Sequence, residues 1–331
     1  MKIAVFYREN RNIEHQKMVS DHPIHDDAYD EARLHAQGLL EAGYDVDLIK
    51  WTRNPIQMAE TLKVKKIDLV FNVSSYDEII FLETIKMPYV GTSSKIVGTD
   101  KVQRKIICAY HGIKTPKFQV AKSINDIPVI NLDYPLFVKP LNGRGSSGID
   151  DSNIITAHEH LLPVIKRITE DMHQVALIEE CIQGREVTVG VIGYEDVEVL
   201  PILEIEFSSG KTNSFTHKMN DLEIIHCPAN LDASTEKTIR DMVKRVYEVL
   251  NIKDFGRVDI MLDKNNTPYF LEVNTFAGLN LPSAEDKSAH IGYMGYMAIQ
   301  AGYDRKSFLD RIVQSAVNRY ANTAQSIGRI R

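Results

Sequence analysis

The chain has 331 residues, 44% hydrophobic and 25% charged, with 39 basic against 45 acidic side chains and a formal net charge of −6. That length allows roughly two or three packed units of ordinary soluble composition, and the acidic balance excludes bulk attraction to a nucleic-acid backbone or an anionic membrane, leaving open a local basic site for a small anion. Cys108, Cys181 and Cys227 are far apart and lack CxxC spacing, which argues against a disulfide scaffold or zinc site and for a reducing compartment. No apolar run approaches the roughly 18–20 residues of a membrane span, and Arg8 rules against a signal peptide, so a cytoplasmic location is expected.

KIAVFY (2–7) is a short buried-type strand. Residues 8–27 are polar and read as a loop. Within it His15, His22 and His25, with Asp26 and Asp27, lack the helical spacing that would support a transition-metal site. AYDEARLHAQGLLEAGY (28–44) is helical and stopped by Gly43. DVDLIKW (45–51), IDLVFNV (67–73) and MPYVGTS (87–93) are further strands, and their alternation with helical patterns predicts a parallel α/β sheet over residues 1 to about 95. DKVQRKIICAYHGI (100–113) is helical to Gly112, and YPLFVKP (134–140) and VALIEECI (175–182) are strands. AHEHL (157–161) reads as a solvated face. EVTVGVIG (186–193) and VEVLPILEIEF (197–207) are alternating strands, and residues 208–223, without a core pattern, read as a long mobile loop. STEKTIRDMVKRVYEVLNI (234–252) is an amphipathic helix with Ser234 as its expected N-cap. DRKSFLDRIVQSAVNRYA (304–321) is the last helix.

Between these two helices lies DFGRVDIMLDKNNTPYFLEVNT (254–275), a β-hairpin. With KNNT (264–267) as its turn, Asp263 faces Pro268, Asp259 faces Glu272 and Arg257 faces Asn274. Alternation puts Arg257, Asp259, Glu272 and Asn274 on one face, and Val258, Ile260, Leu262, Tyr269, Leu271 and Val273 on a core face. Directly opposed carboxylates repel unless one is protonated or a cation lies between them. Two carboxylates and an asparagine carbonyl suit a hard cation such as Mg²⁺, while a solvated outer face is the plainer alternative.

YPLFVKPLNGRGSSGID (134–150) passes Lys139 and enters a glycine-rich turn. Gly143, Gly145 and Gly148 permit close backbone approach to an anion, with Lys139 as charge and Ser146 and Ser147 as hydroxyl donors, although an ordinary hairpin turn explains the same residues. In LIEECIQGREVTVGVIG (177–193), Glu179 and Glu180 beside Ile182 could serve an adenine amino group and backbone hinge, and Glu186 ribose hydroxyls; surface carboxylates at strand ends are the alternative.

These pieces occur in the order of the ATP-grasp superfamily, and the sequence most closely resembles D-alanine–D-alanine ligases. The resemblance rests on GTDKVQRKIICAYHGIKTP (98–116), YPLFVKPLNGRGSSGI (134–149), IEECIQGREVTV (178–189), HKMNDLEIIHCPA (217–229) and FGRVDIMLDKNNTPYFLEVNT (255–275). It implies an α/β ATP-grasp fold: an N-terminal parallel unit (1–97), then central (98–183) and C-terminal (184–331) units clasping ATP. It further implies that Lys101 and Lys139 contact the ATP phosphates under a closing glycine-rich loop. Glu179, the backbone of Glu180, Cys181 and Ile182, and Glu186 would hold adenosine, and Lys218 would reach the γ-phosphate. Asp259, Glu272 and Asn274 would bind two Mg²⁺ ions, with Mn²⁺ as a substitute. Arg257 and the N–H of Gly278 would stabilise charge on the reacting carboxyl.

The implied reaction joins a small carboxylic acid to an amine through an acylphosphate, with no nucleic-acid or membrane partner. Oligomeric state is left open, a homodimer included. The amino-acid subsites depart from the family pattern. The N-terminal glycine–glutamate turn is missing, although a glutamate, Glu14, is present. FNVSSYDE (71–78) replaces HGxxGEDG, NTFAG replaces NTxPG, and LNLPSAEDKSAHIGYMGYM (279–297) replaces the serine–leucine segment that grips the acceptor. A different substrate pair is therefore expected. Tyr293, Met294 and Tyr296 suit a larger or more apolar partner or simply pack the last helices. The alternatives are an authentic D-alanine–D-alanine ligase, an ATP-grasp kinase, and a nucleotide-binding regulatory module without turnover.

Overall fold

The computed structural model describes residues 1–8, 27–71, 75–124, 130–142, 149–207, 223–282 and 291–328. Glu14, His15, His22, His25, Asp26, Gly143, Gly145, Ser146, Ser147, Gly148 and Lys218 lie outside the described residues.

The first unit runs β1 (Lys2–Tyr7), α1 (Asp27–Glu41), β2 (Asp45–Lys50), α2 (Pro55–Val64), β3 (Leu69–Phe71), α3 (Tyr76–Thr84) and β4 (Tyr89–Val90). Its strands form a parallel sheet in the order β2-β1-β3-β4, as the β–α alternation predicts. The unbroken apolar run of β1 is buried on both faces, with Ile3, Ala4, Val5 and Phe6 all at 0% exposure. Gly43, at φ +91, ends α1 where a side chain would be strained.

After α4 (Ser94–Val97) and α5 (Lys101–Tyr110), the strands β5 (Phe118–Ala121), β6 (Leu136–Pro140), β7 (Ile154–Ile155) and β8 (Ala176–Glu180) make an antiparallel sheet, with α6 (Leu161–Lys166) between β7 and β8. Asp100 starts α5 with a full capping box: its carboxylate accepts from Gln103 N–H, and the Gln103 side chain accepts from Asp100 N–H.

The last sheet contains β9 (Gly184–Gly193), β10 (Glu198–Val199), β11 (Leu203–Phe207), β12 (Glu223–His226), β13 (Asp254–Asp263) and β14 (Pro268–Asn274), in the order β12-β11-β9-β13-β14 with β10 on β9. The segment 197–207, expected as one strand, divides at Leu200–Pro201–Ile202, because Pro201 has no N–H for a ladder. α7 (Ala233–Val249) begins one residue before the expected cap: Asp232, not Ser234, accepts the N–H groups of Ser234 and Thr235.

α8 (Tyr293–Gln300) and α9 (Arg305–Gly328) close the chain. Phe308, Leu309, Ile312 and Val313 of α9 share one apolar core with Ile3, Val5 and Leu39 of the first unit and with Phe255 of β13. A buried polar knot fixes the same junction. Asp254 accepts from Arg319 at 2.7 Å, Ser315 at 3.0 Å and the Gly91 N–H at 2.8 Å. These bonds account for a non-glycine residue held at φ +62.

Candidate active site

The site is built on the β13–β14 hairpin. Arg257 pairs with Asn274 and Asp259 with Glu272, as the turn position predicts. Nearer the turn the register shifts: Ile260 pairs with Phe270 and Leu262 with Pro268, leaving Leu271 as the extra residue of a β-bulge. The expected Asp263–Pro268 pair is therefore corrected. Asp263 instead closes the turn, its N–H donating to Thr267 O at 3.0 Å and its carboxylate accepting the N–H groups of Asn265 and Thr267. Phe270 occupies the core in place of the expected Tyr269 and Leu271. The bulge seats the most apolar ring of β14 inside while Glu272 and Asn274 keep the site face.

The two opposed carboxylates have separate cations. Arg257 grips Asp259 with Nε at 2.9 Å and Nη2 at 3.1 Å. Asn274 Nδ2 donates to Asp259 at 2.7 Å, and Thr188 Oγ1 does so at 2.6 Å. Glu272 lies 3.2 Å from Lys101 Nζ. Burial pushes the Glu272 carboxyl up, but Lys101 and then Lys139 outweigh it and hold the pKa at about 2. Burial likewise opposes the charge on Arg257, and Asp259 more than restores it.

Behind Lys101 stands a buried ion triad. Glu179 is 2.7 Å from Lys105 Nζ and 2.6 Å from Lys139 Nζ, and all three side chains are buried. Burial raises the Glu179 carboxyl, yet Lys105 and Lys139 bring it below its ordinary value. Burial lowers the Lys139 ammonium, yet Glu179 and Glu272 bring it above. For Lys101 and Lys105 burial prevails and both pKa values fall. Lys101 and Lys105 are one helical turn apart on α5, so one face of that helix presents both ammonium groups. Arg104 pins α5 to the hairpin by donating to Val273 O at 2.8 Å.

Of the residues expected near adenosine, Glu179 is thus held by two lysines inside the protein. Glu180 pairs with Lys117 at 3.1 Å, and its N–H donates to Lys117 O. The Cys181 N–H donates to Pro135 O at 2.9 Å. The Ile182 N–H has no backbone partner among the described residues. Glu186, on β9, contributes to the field at Lys139 and Tyr293. A cavity of about 400 Å³ opens between α5, the end of β6 and β14, lined by Lys101, Leu141, Asn142, Glu272 and Asn274.

Arg257 also stacks on Tyr293, 5.0 Å from its ring centroid, and the Tyr293 hydroxyl donates to Glu223 Oε2. Gly278 packs against Gly292, whose added Cβ would stand 2.7 Å from Gly278 O. Oε1 of Glu31, from α1, lies 3.9 Å from where a Cβ on Gly278 would stand. Sequence reasoning missed Lys105, Thr188, Glu223 and Glu31. Only Lys105 had a local signal, its four-residue spacing from Lys101.

Among the described residues no three His, Cys, Asp or Glu side chains gather to hold a metal ion. Two carboxylates and an amide oxygen nevertheless fit Mg²⁺, which commonly binds through one or two carboxylates, water and substrate phosphate. No helix is long and apolar enough to cross a membrane among the described residues.

Two antiparallel sheets behind a parallel α/β unit, with the Lys101–Glu272 pair in the wall of a cavity beside them, are the arrangement of the ATP-grasp fold. The family described as "D-ala D-ala ligase C-terminus" matches residues 107–314. The chain belongs to this D-alanine–D-alanine ligase family. It is 31% identical to the D-alanine–D-alanine ligase of Carboxydothermus hydrogenoformans over 75% of this chain and 82% of that one. It is 30% identical to the uncharacterized protein y4sG of Sinorhizobium fredii over 72% of this chain and 69% of that one. The crystal structure of D-alanine–D-alanine ligase from Bacillus anthracis complexed with ATP superposes with a TM-score of 0.74, at 22% identity over 98% of this chain and 99% of that one. The VanG D-Ala:D-Ser ligase of Enterococcus faecalis gives 0.70, at 22% identity over 95% and 99%.

Proposed function

We propose that the protein joins a carboxylic acid to an amine through an acylphosphate, with a substrate pair other than two D-alanines. Residues 98–183 and 184–331 act as the two halves that clasp ATP. Lys101 and Lys139, braced by Glu179 and Lys105, face the phosphates. Mg²⁺ at Asp259, Glu272 and Asn274 supplies neutralisation of phosphate charge.

A carboxylate oxygen of the acid attacks the γ-phosphorus, the bond to the β–γ bridging oxygen breaks, and ADP leaves. The amine nitrogen then attacks the acyl carbon. The C–N bond forms, the acyl C–O bond to phosphate breaks, and of the two protons the ammonium loses, one ends on the departing phosphate and the other in solvent. Arg257, aimed by its two bonds to Asp259, and the Gly278 N–H stabilise the oxyanion. A kinase would not need that oxyanion support, and a regulatory module would not need the opposed carboxylates.

The observation that carries the substrate assignment is Tyr293. It stands in the segment that replaces the serine–leucine grip, and it is tied to both Arg257 and Glu223. A buried polar partner left unpaired costs about 1–3 kcal/mol, so a rebuilt subsite selects against the family's usual acceptor. The relatives named D-alanine–D-alanine ligase favour the second reading, an authentic ligase of that kind. Phosphate release across a panel of acids and amines, with products read by mass spectrometry, decides between them. Robust D-Ala–D-Ala at millimolar D-alanine, with no better acid or amine in the panel, would overturn the proposal.

A further inference from the structure

Glu223 begins β12 opposite Phe207 of β11, and its two carboxylate oxygens differ in their surroundings. Oε2 accepts the Tyr293 hydroxyl. Oε1 is buried and has no hydrogen-bond donor among the described residues. Among the described residues Arg257 does not supply one: it commits Nε and Nη2 to Asp259 and presents its face to the Tyr293 ring. Burial and the bond to Glu223 push the Tyr293 hydroxyl above its ordinary value, so it stays neutral and remains a donor. A tyrosine thus spans the distance from the cation proposed for the reacting carboxyl to a carboxylate with one buried, unpaired acceptor oxygen.

A buried carboxylate oxygen without a donor is unfavourable, and a ligand that brings N–H groups relieves it. The ligand class that fits is an ammonium: it is of opposite charge, carries three donors, and must approach within a side-chain length of Arg257 to reach the acyl carbon. We propose that Glu223 receives the ammonium group of the amine substrate, with Tyr293 fixing the carboxylate relative to Arg257. This subsite rests on the ligase reading above. Its role is binding and placement.

The test is a competition for the acylphosphate. The protein is given ATP, Mg²⁺ and each acid of the panel. Hydroxylamine, neutral at the working pH, competes with an ammonium-bearing acceptor, in turn D-alanine, L-alanine and glycine. Hydroxylamine yields a hydroxamate and the amino acid an amide, both read by mass spectrometry. Glu223→Gln is expected to lower the amide-to-hydroxamate ratio about 10- to 100-fold, with a raised KM for the amino acid. Should that variant not fold, Tyr293→Phe carries the test: it keeps the ring on Arg257, frees Oε2, and shifts the ratio the same way by a smaller factor. An unchanged ratio in a folded variant overturns the subsite and leaves the ligase reading standing. Neither product from the unaltered protein with any acid overturns the ligase reading, and the subsite with it.

Discussion

Glu272 stands directly opposite Asp259 in the β13–β14 ladder, and both carboxylates are accommodated because each faces its own cation, Lys101 for one and Arg257 for the other. Like charges in such a position destabilise a plain ladder. Their presence on a face otherwise occupied by Arg257 and Asn274 supports the proposed site for phosphate and metal.

Glu272→Gln keeps the shape of the side chain and leaves the core face untouched, so the fold should survive. ATP turnover should fall by orders of magnitude if Glu272 is the metal ligand proposed above. Phosphate release under saturating ATP and Mg²⁺ measures this. Near-native turnover would show that the hairpin does not serve the nucleotide.

The depressed pKa of Glu272 also predicts an acid limb of stability. Its folded value of about 2 lies below the ordinary 4.5. The ionised form is therefore favoured by folding. Its contribution is full above the unfolded value and is lost as pH falls from about 4.5 towards about 2. Urea unfolding of the unaltered protein and of Glu272→Gln should differ most near neutrality and converge across that window. A gap that stays constant down to pH ~3 contradicts the assignment.

Lys105→Met removes one of the two cations on a buried carboxylate. Breaking a buried pair leaves uncompensated charge, at about 3–5 kcal/mol. Denaturant unfolding should show a loss of that order, and affinity for an ATP analogue should fall as Lys139 is drawn further towards Glu179. A change within ~0.5 kcal/mol would mean that Glu179 is protonated in the fold.

Two glycines beside the reacting-carboxyl position should behave oppositely. At Gly292 a Cβ would press on Gly278 O at 2.7 Å, so Gly292→Ala must displace the backbone that carries the Gly278 N–H. It should cost about 1–3 kcal/mol and reduce turnover. At Gly278 the nearest atom among the described residues is Glu31 Oε1 at 3.9 Å, an ordinary contact, and Gly278→Ala should change stability by less than ~0.5 kcal/mol. Thermal unfolding of the pair reads both outcomes.

What the sequence determined by itself is what short-range geometry can express. The alternation of β1 to β4 with helices fixes a parallel sheet, and a polar turn between two period-2 runs fixes a hairpin of β13 and β14, while the Asp259–Glu272 pairing depends also on the bulge that offsets the tighter turn. The bulge at Leu271 escaped because it follows from where Phe270 finds its core, which lies on other elements. The same holds for charge. Lys105 and Glu179 are remote in sequence, and only the packing of α5 against β8 and β14 makes them a pair 2.7 Å apart. Tyr293 packs against the core that α9 shares with the first unit, as one reading of the sequence expects, and only the tertiary structure also places it between Arg257 and Glu223. Periodicity is a property of one segment. A partner across the fold depends on how segments close on one another, and that is decided by the summed burial of the whole chain.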